Sequence, residues 1–328
     1  MFRKFFGLLV CVLAFSSFIF VSAGDVEAET SVEKIHFLIP GGAGGGWDTT
    51  ARTVGKVLQD TGLIEEASFE NRSGGGGGVA INYLITTARR QKDTLMVNST
   101  PIVVRSLTGV FPQSFRDLTP VASVIADYAA LVVPVNSKFN SFKDIAESFK
   151  ENPNSIKVAG GSVKGGMDHL VAAMAINAAG GDPLKLQYVP YDAGGKAMAG
   201  LLSGDTQMLS TGFGEAVNLA KQGEVKILAV TAPERLPEAP EVPTLKELGY
   251  NMEFANWRGF FGPPNLSQDK VDAYVSVFKK MYKTDMWDKM RKKYGWQNLF
   301  HPDKEFVAFL EKQEKEVGDM MRRLGFLQ

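Results

Sequence analysis

Two segments of this chain follow one plan: IHFLIPGGAGGGWDTTAR at residues 35–52 and IKVAGGSVKGGMDHLVA at residues 156–172. In each, an apolar run ends in two glycines. A short spacer, two more glycines, a bulky apolar residue and an aspartate then lead into a helical pattern. Glycine permits positive φ and lets other groups approach the main chain, so such a run can turn a strand directly into a helix. The plan commits the chain to strand–loop–helix units, and its recurrence commits it to two of them. A loop that opens onto a helix also offers unpaired N–H groups and the positive end of the helix dipole. Two such loops, far apart in sequence, form two half-sites for one anion. A third run, GGGGG at residues 74–78, has no counterpart and reads as a structural turn.

Around these loops, strand-like and helical patterns alternate. Strands are expected at 35–39, 67–72, 94–98, 128–135, 156–159, 186–191, 206–211 and 226–230, with helices between most of them. Residues 99–101, Ser-Thr-Pro, read as a turn. From residue 268 on, the sequence is helical, charged and amphipathic. This order predicts two α/β units, each with a mostly parallel sheet covered by helices. The chain is expected to cross between them twice, near 124–135 and near 250–263. The boundaries are placed at 29–125 plus 254–328 for the first lobe and 126–253 for the second.

The N-terminus reads as an export signal. Arg3 and Lys4 precede an apolar run at 5–21, and small residues follow, with cleavage expected after Ala28. The sole cysteine, Cys11, lies inside that run. An exported chain without disulfides fits a bacterial periplasm. Arg3 and Lys4 would leave together with Asp25 and Glu27, so the formal charge stays at zero. With no basic excess, nucleic acid is excluded as a partner.

Nucleotide chemistry fails on spacing. A dinucleotide fingerprint requires G-x-G-x-x-G, but the frames from Gly42 and Gly44 end on Trp47 and Thr49. A P-loop fails at Gly55-Lys56 and again at Gly195-Lys196, where Pro190 stands in for the upstream glycine. The chain has no G-x-S-x-G, and His36, His169 and His301 fall in no metal spacing. The expectation is therefore binding without catalysis and without a cofactor. Asp48 and Asp168, at equivalent places, read as N-caps.

At these residues the chain resembles the substrate-binding proteins of tripartite tricarboxylate transporters, also called Bug proteins. The motifs are IPGGAGGGWDTTAR, ENRSGGGGGVAINYL, GGSVKGGMDHL, YVPYDAGGKAMAGLLSGD, KILAVTAPER with EVPTLKELGY, and NWRGFFGPP. They recur in family order along nearly all of the chain after residue 28. The GGGWD form is nearest the tricarboxylate-binding branch.

The resemblance implies an α/β fold of the type II periplasmic-binding-protein kind, two lobes hinged by two crossing strands, with ligand in the cleft. It implies ligand contacts at Gly42, Ala43, Trp47, Asp48 and Thr49, and at Ser99 and Thr100. In the second lobe it implies Ser162, Lys164, Gly165, Gly166 and His169, then Asp192, Ala193 and Gly194, and beyond them Thr211, Gly212 and Glu215. The expected ligand is a small di- or tricarboxylate, citrate-like. The expected partners are the membrane subunits of such a transporter, served by a monomeric protein. Glu215 departs from what a purely anionic ligand wants and fits a ligand hydroxyl, an amine or a helix cap. A sensing lobe for a signalling receptor and a carboxylate-processing enzyme are the alternatives.

Overall fold

The computed structural model describes residues 1–2 and 32–327, to which every structural statement below refers. The run read as an export signal, with Cys11, lies outside these described residues.

The first strands are β1 (Lys34–Ile39), β2 (Glu66–Asn71) and β3 (Thr94–Ser99), with helices α1 (Gly46–Asp60), α2 (Gly78–Thr86) and α3 (Pro101–Thr108). The long strand β4 (Thr119–Pro134) follows. Then come α4 (Phe142–Glu151), β5 (Lys157–Gly160), α5 (Met167–Ala178), β6 (Gln187–Pro190), α6 (Gly194–Leu202), β7 (Met208–Gly212), α7 (Phe213–Lys221) and β8 (Val225–Val230). The chain returns through β9 (Ala255–Gly262) and ends with α8 (Gln268–Met281), α9 (Asp285–Lys293), β10 (Gln297–Asn298) and α10 (Asp303–Arg323).

The strands form one ladder in the order β2-β1-β3-β9-β4-β7-β5-β6, with β8 and β10 also on β4. The outer pairs, β1 with β2 and β3, and β5 with β6 and β7, are parallel, as the strand–loop–helix plan requires. The strands around β4 run antiparallel to their neighbours, so the sheet is mixed. β4 itself changes company midway. Thr119 to Tyr128 pair with β9, and from Ala129 onward the strand pairs with β7 and β8.

The side-chain alternation of a strand sends successive residues to opposite faces. Phe37 and Ile39 of β1 pack with Val54 and Leu58 of α1, with Phe260, and with Phe278 of α8. Leu38 between them packs on the other face with Met96, Ile102, Phe261 and Phe306. In the second half, Leu131 and Val133 join the α4 and α5 side. Val132 joins Leu209, Phe213 and Val230. Each half of the ladder thus has two apolar layers. The glycine loops emerge from the ends of β1 and β5, each the middle strand of its parallel set, and face each other.

Candidate ligand-binding site

A cavity of about 300 Å³ lies between the two halves. One wall is the first glycine loop with Trp47 and Ser99, and the other is Gly161 to Val163 with Asp192 to Gly194. The loops are in direct contact: a side chain at Gly42 would strike the Asp192 carbonyl at 2.9 Å.

The helix starts behind the loops are not capped as expected. The N-caps are Gly45 for α1 and Gly166 for α5, and neither helix has a side-chain cap. Asp48 sits in the first turn instead. It accepts from the Gly44 amide at 3.0 Å, from Arg52 Nε at 2.8 Å and from Asn71 Nδ2 at 2.9 Å, which ties the loop to β2. Asp168 is buried against the Gly161 amide, and burial, reinforced by nearby Glu215, pushes its carboxyl up to about 8. The remedy for the missing caps lies in these reach-back bonds, which consume loop amides. Gly165 N–H is consumed too, by His169 Nδ1 at 2.9 Å. Burial, with Lys164 nearby, holds that imidazole down at about 4, so His169 is a neutral acceptor packed on Tyr188 and Phe326.

Of the residues expected from the sequence, Gly42, Trp47, Ser99, Ser162, Asp192, Ala193, Gly194 and Glu215 line the cavity. The others stand off it. Asp48, Gly165 and His169 brace the loops as described, and Gly166 N–H donates to Val163 O. Ala43 and Lys164 are exposed, and Thr49 is in α1. Thr100 is buried at the head of α3. Thr211 donates to Glu215 at 2.7 Å, and Gly212 pairs with Ala129 of β4.

Three cavity residues carry charge that the sequence reading passed over. Arg258 of β9 is 2% exposed. Its Nη2 lies 2.9 Å from Asp127 of β4 and 3.9 Å from Glu215 of α7, and its Nη1 donates to Thr50 of α1 at 3.2 Å. Burial raises both acids and Arg258 opposes the rise. Arg105 of α3 lines the cavity beside Gly74, Gly75 and Gly76, so the five-glycine run is part of the wall and not a remote turn. Asp168, read as a cap, is the third. The sequence clue to Arg258 was its place inside NWRGFFGPP; for Arg105 it was a basic residue inside an apolar run, PIVVRSL.

Two opposed loops on a mixed α/β ladder, joined by strands that cross between them, are the architecture of the two-lobe binding-protein fold. The periplasmic binding protein BugD superposes with a TM-score of 0.81 at 22% identity, covering 90% of this chain and 98% of that one. MatC from Rhodopseudomonas palustris with bound malate gives 0.77 at 20% identity, covering 88% and 99%. The chain belongs to the tripartite tricarboxylate transporter family receptors, whose family model matches residues 51–326. A UPF0065 protein from the tcbD-tcbE intergenic region of Pseudomonas sp. strain P51 is 28% identical over 250 residues, 75% of this chain and 73% of that protein. Proteins of this family are binding proteins and not enzymes.

Proposed function

We propose that the protein is exported to the periplasm, captures a small di- or tricarboxylate between its glycine loops and delivers it to the membrane subunits of a tripartite tricarboxylate transporter. The observation that carries this reading is a set of free donors. The amides of Gly42, Trp47 and Ser162 make no hydrogen bond within the described residues, and all three residues line the cavity from its two opposed walls. A buried carboxylate needs donors for nearly every lone pair, and main-chain amides supply them without loss of side-chain entropy. Malate bound to MatC, a protein of the same fold, agrees with a ligand of this size and charge. Family membership supports the transporter partner. No helix among the described residues is long and apolar enough to cross a membrane. A ligand held by both walls favours the closed arrangement, and closure is the signal a carrier reads.

Thermal melts with a panel of carboxylates test this. One or more di- or tricarboxylates are expected to raise the midpoint in proportion to log concentration. A panel without a shift would reject carboxylate capture.

A further inference from the structure

Loop amides account for one carboxylate and leave one buried charge without a role. Arg105 is 2% exposed, and its guanidinium lies in the cavity wall. No acidic group among the described residues pairs with it. Nη1 donates to the Gly75 carbonyl at 3.3 Å, and Nε is buried without an acceptor. Burial draws the guanidinium down to about 10, which leaves it charged at neutral pH. A cation buried without a counter-charge is costly, and an apolar residue would serve the helix better.

The chain nevertheless builds a seat for it. Gly74, Gly75, Gly76 and Gly77 have φ of 128°, 54°, 60° and 100°, four consecutive residues in backbone that side chains avoid. Gly76 faces the guanidinium so closely that any Cβ there would overlap it. The Phe111 ring lies 5.9 Å from the guanidinium carbon. The other cation of the cavity, Arg258, is already engaged by Asp127 and Glu215. Asp168 and Glu215 line the same cavity as Arg105 without pairing with it; Glu215 lies beside Arg258, and Asp168 is buried and holds its proton at neutral pH, so Arg105 is the cation left without a counter-charge there.

We propose that Arg105 is the specificity-determining residue of this cleft: its guanidinium takes a second carboxylate of the ligand directly, and the end of the cavity at Asp168 and Glu215 has no free cation to hold a third. The ligand class is then a dicarboxylate, with room at the acids for a hydroxyl donor, and not a tricarboxylate. This rests on carboxylate capture by the loops.

The test is calorimetry of the wild type, Arg105→Gln and Arg105→Lys with succinate, malate, glutarate and adipate, each against its monoamide, and with citrate. Removing one partner of a buried charge pair weakens binding by about 30-fold or more. The best dicarboxylate is therefore expected to bind the wild type about 30-fold tighter than its monoamide, and about 10-fold or more tighter than citrate. In Arg105→Gln the advantage over the monoamide should vanish, and Arg105→Lys should recover part of it. The ligand-free midpoint of Arg105→Gln should equal or exceed that of the wild type, whereas a structural arginine would lower it. If Arg105→Gln does not fold, the guanidinium resonance of Arg105 in the wild type, identified by its loss in Arg105→Lys, should move with the dicarboxylate and stay put with the monoamide. A dicarboxylate-to-monoamide ratio unchanged by Arg105→Gln, an unmoved resonance, or citrate as the tightest ligand overturns the proposal and leaves loop capture standing. Failure of every acid and monoamide to bind the wild type overturns both.

Discussion

At Gly76 a backbone φ of +60° and the guanidinium pressed against it leave no room for a methyl group. Gly76→Ala is expected to cost about 1–3 kcal/mol of stability through backbone strain and to push Arg105 out of the wall. Denaturant titration and calorimetry on the same sample would separate the two losses. Arg258 is a different case, because Asp127 beside it is wholly buried. Arg258→Met leaves Asp127 buried with no cation and should destabilise by about 3–5 kcal/mol, read by urea unfolding.

The cavity acids also give stability a pH dependence. Asp168 keeps its proton in the folded chain to about pH 8, whereas the unfolded chain releases it near 3.8. Between those limits the folded state holds more protons, so stability falls as pH rises. His169 runs the other way: the unfolded chain holds the extra proton between about 4 and 6.5, so stability there rises with pH. Above 6.5 only the carboxyl effect remains. Stability should drop by about 2 kcal/mol from there to pH 8, and Asp168→Asn should flatten the drop in melts across that range. Local spacing made Gly42, Trp47, Ser162 and Glu215 legible, because each belongs to a loop or strand end. Arg105 and Arg258 were not legible as site residues: what marks them is a missing or distant partner, and the nearest acid of Arg258 is Asp127 on another strand.

At the scale of elements, local chemistry fixes some boundaries and only tertiary pairing fixes others. Helix α4 begins at a capping box in which Ser141 Oγ accepts from the Asp144 amide at 3.2 Å and Asp144 accepts from the Ser141 amide at 2.9 Å. Ser141→Ala should cost about 1 kcal/mol, visible as a lower urea midpoint with an unchanged slope. Strands β1 and β5 were readable to within a residue or two, since they are largely buried and glycines follow or end them. Ser-Thr-Pro at 99–101 read as a turn, yet Pro101 is the first residue of α3. Proline at a first helical position and proline in a turn look alike until the following apolar residues, Ile102 to Val104, find a core to enter. The antiparallel runs around β4 were also hidden, because strand direction follows from which strands meet, and β9 reaches β4 only after more than a hundred intervening residues.

For the molecule as a whole, we propose from the close approach of Gly42 to Asp192 that this arrangement is the closed one. Small-angle scattering should show the ligand-free protein to be more expanded than this structure, and a saturating dicarboxylate should contract it. An unchanged radius of gyration would mean that the two halves do not hinge. The expected division of the chain at 125 and 253 remains a proposal about motion, and its first cut falls inside β4.

That shared strand has a consequence for how the molecule can be taken apart. Since β4 gives one length of its backbone to β9 and the next to β7 and β8, a cut at the boundary between the two halves divides β4 itself. Each fragment would carry a truncated strand and an exposed sheet edge, a template for aggregation. Heritable rearrangement of this protein is therefore confined to its surface loops and its ends, and any reporter or affinity module grafted onto it belongs there.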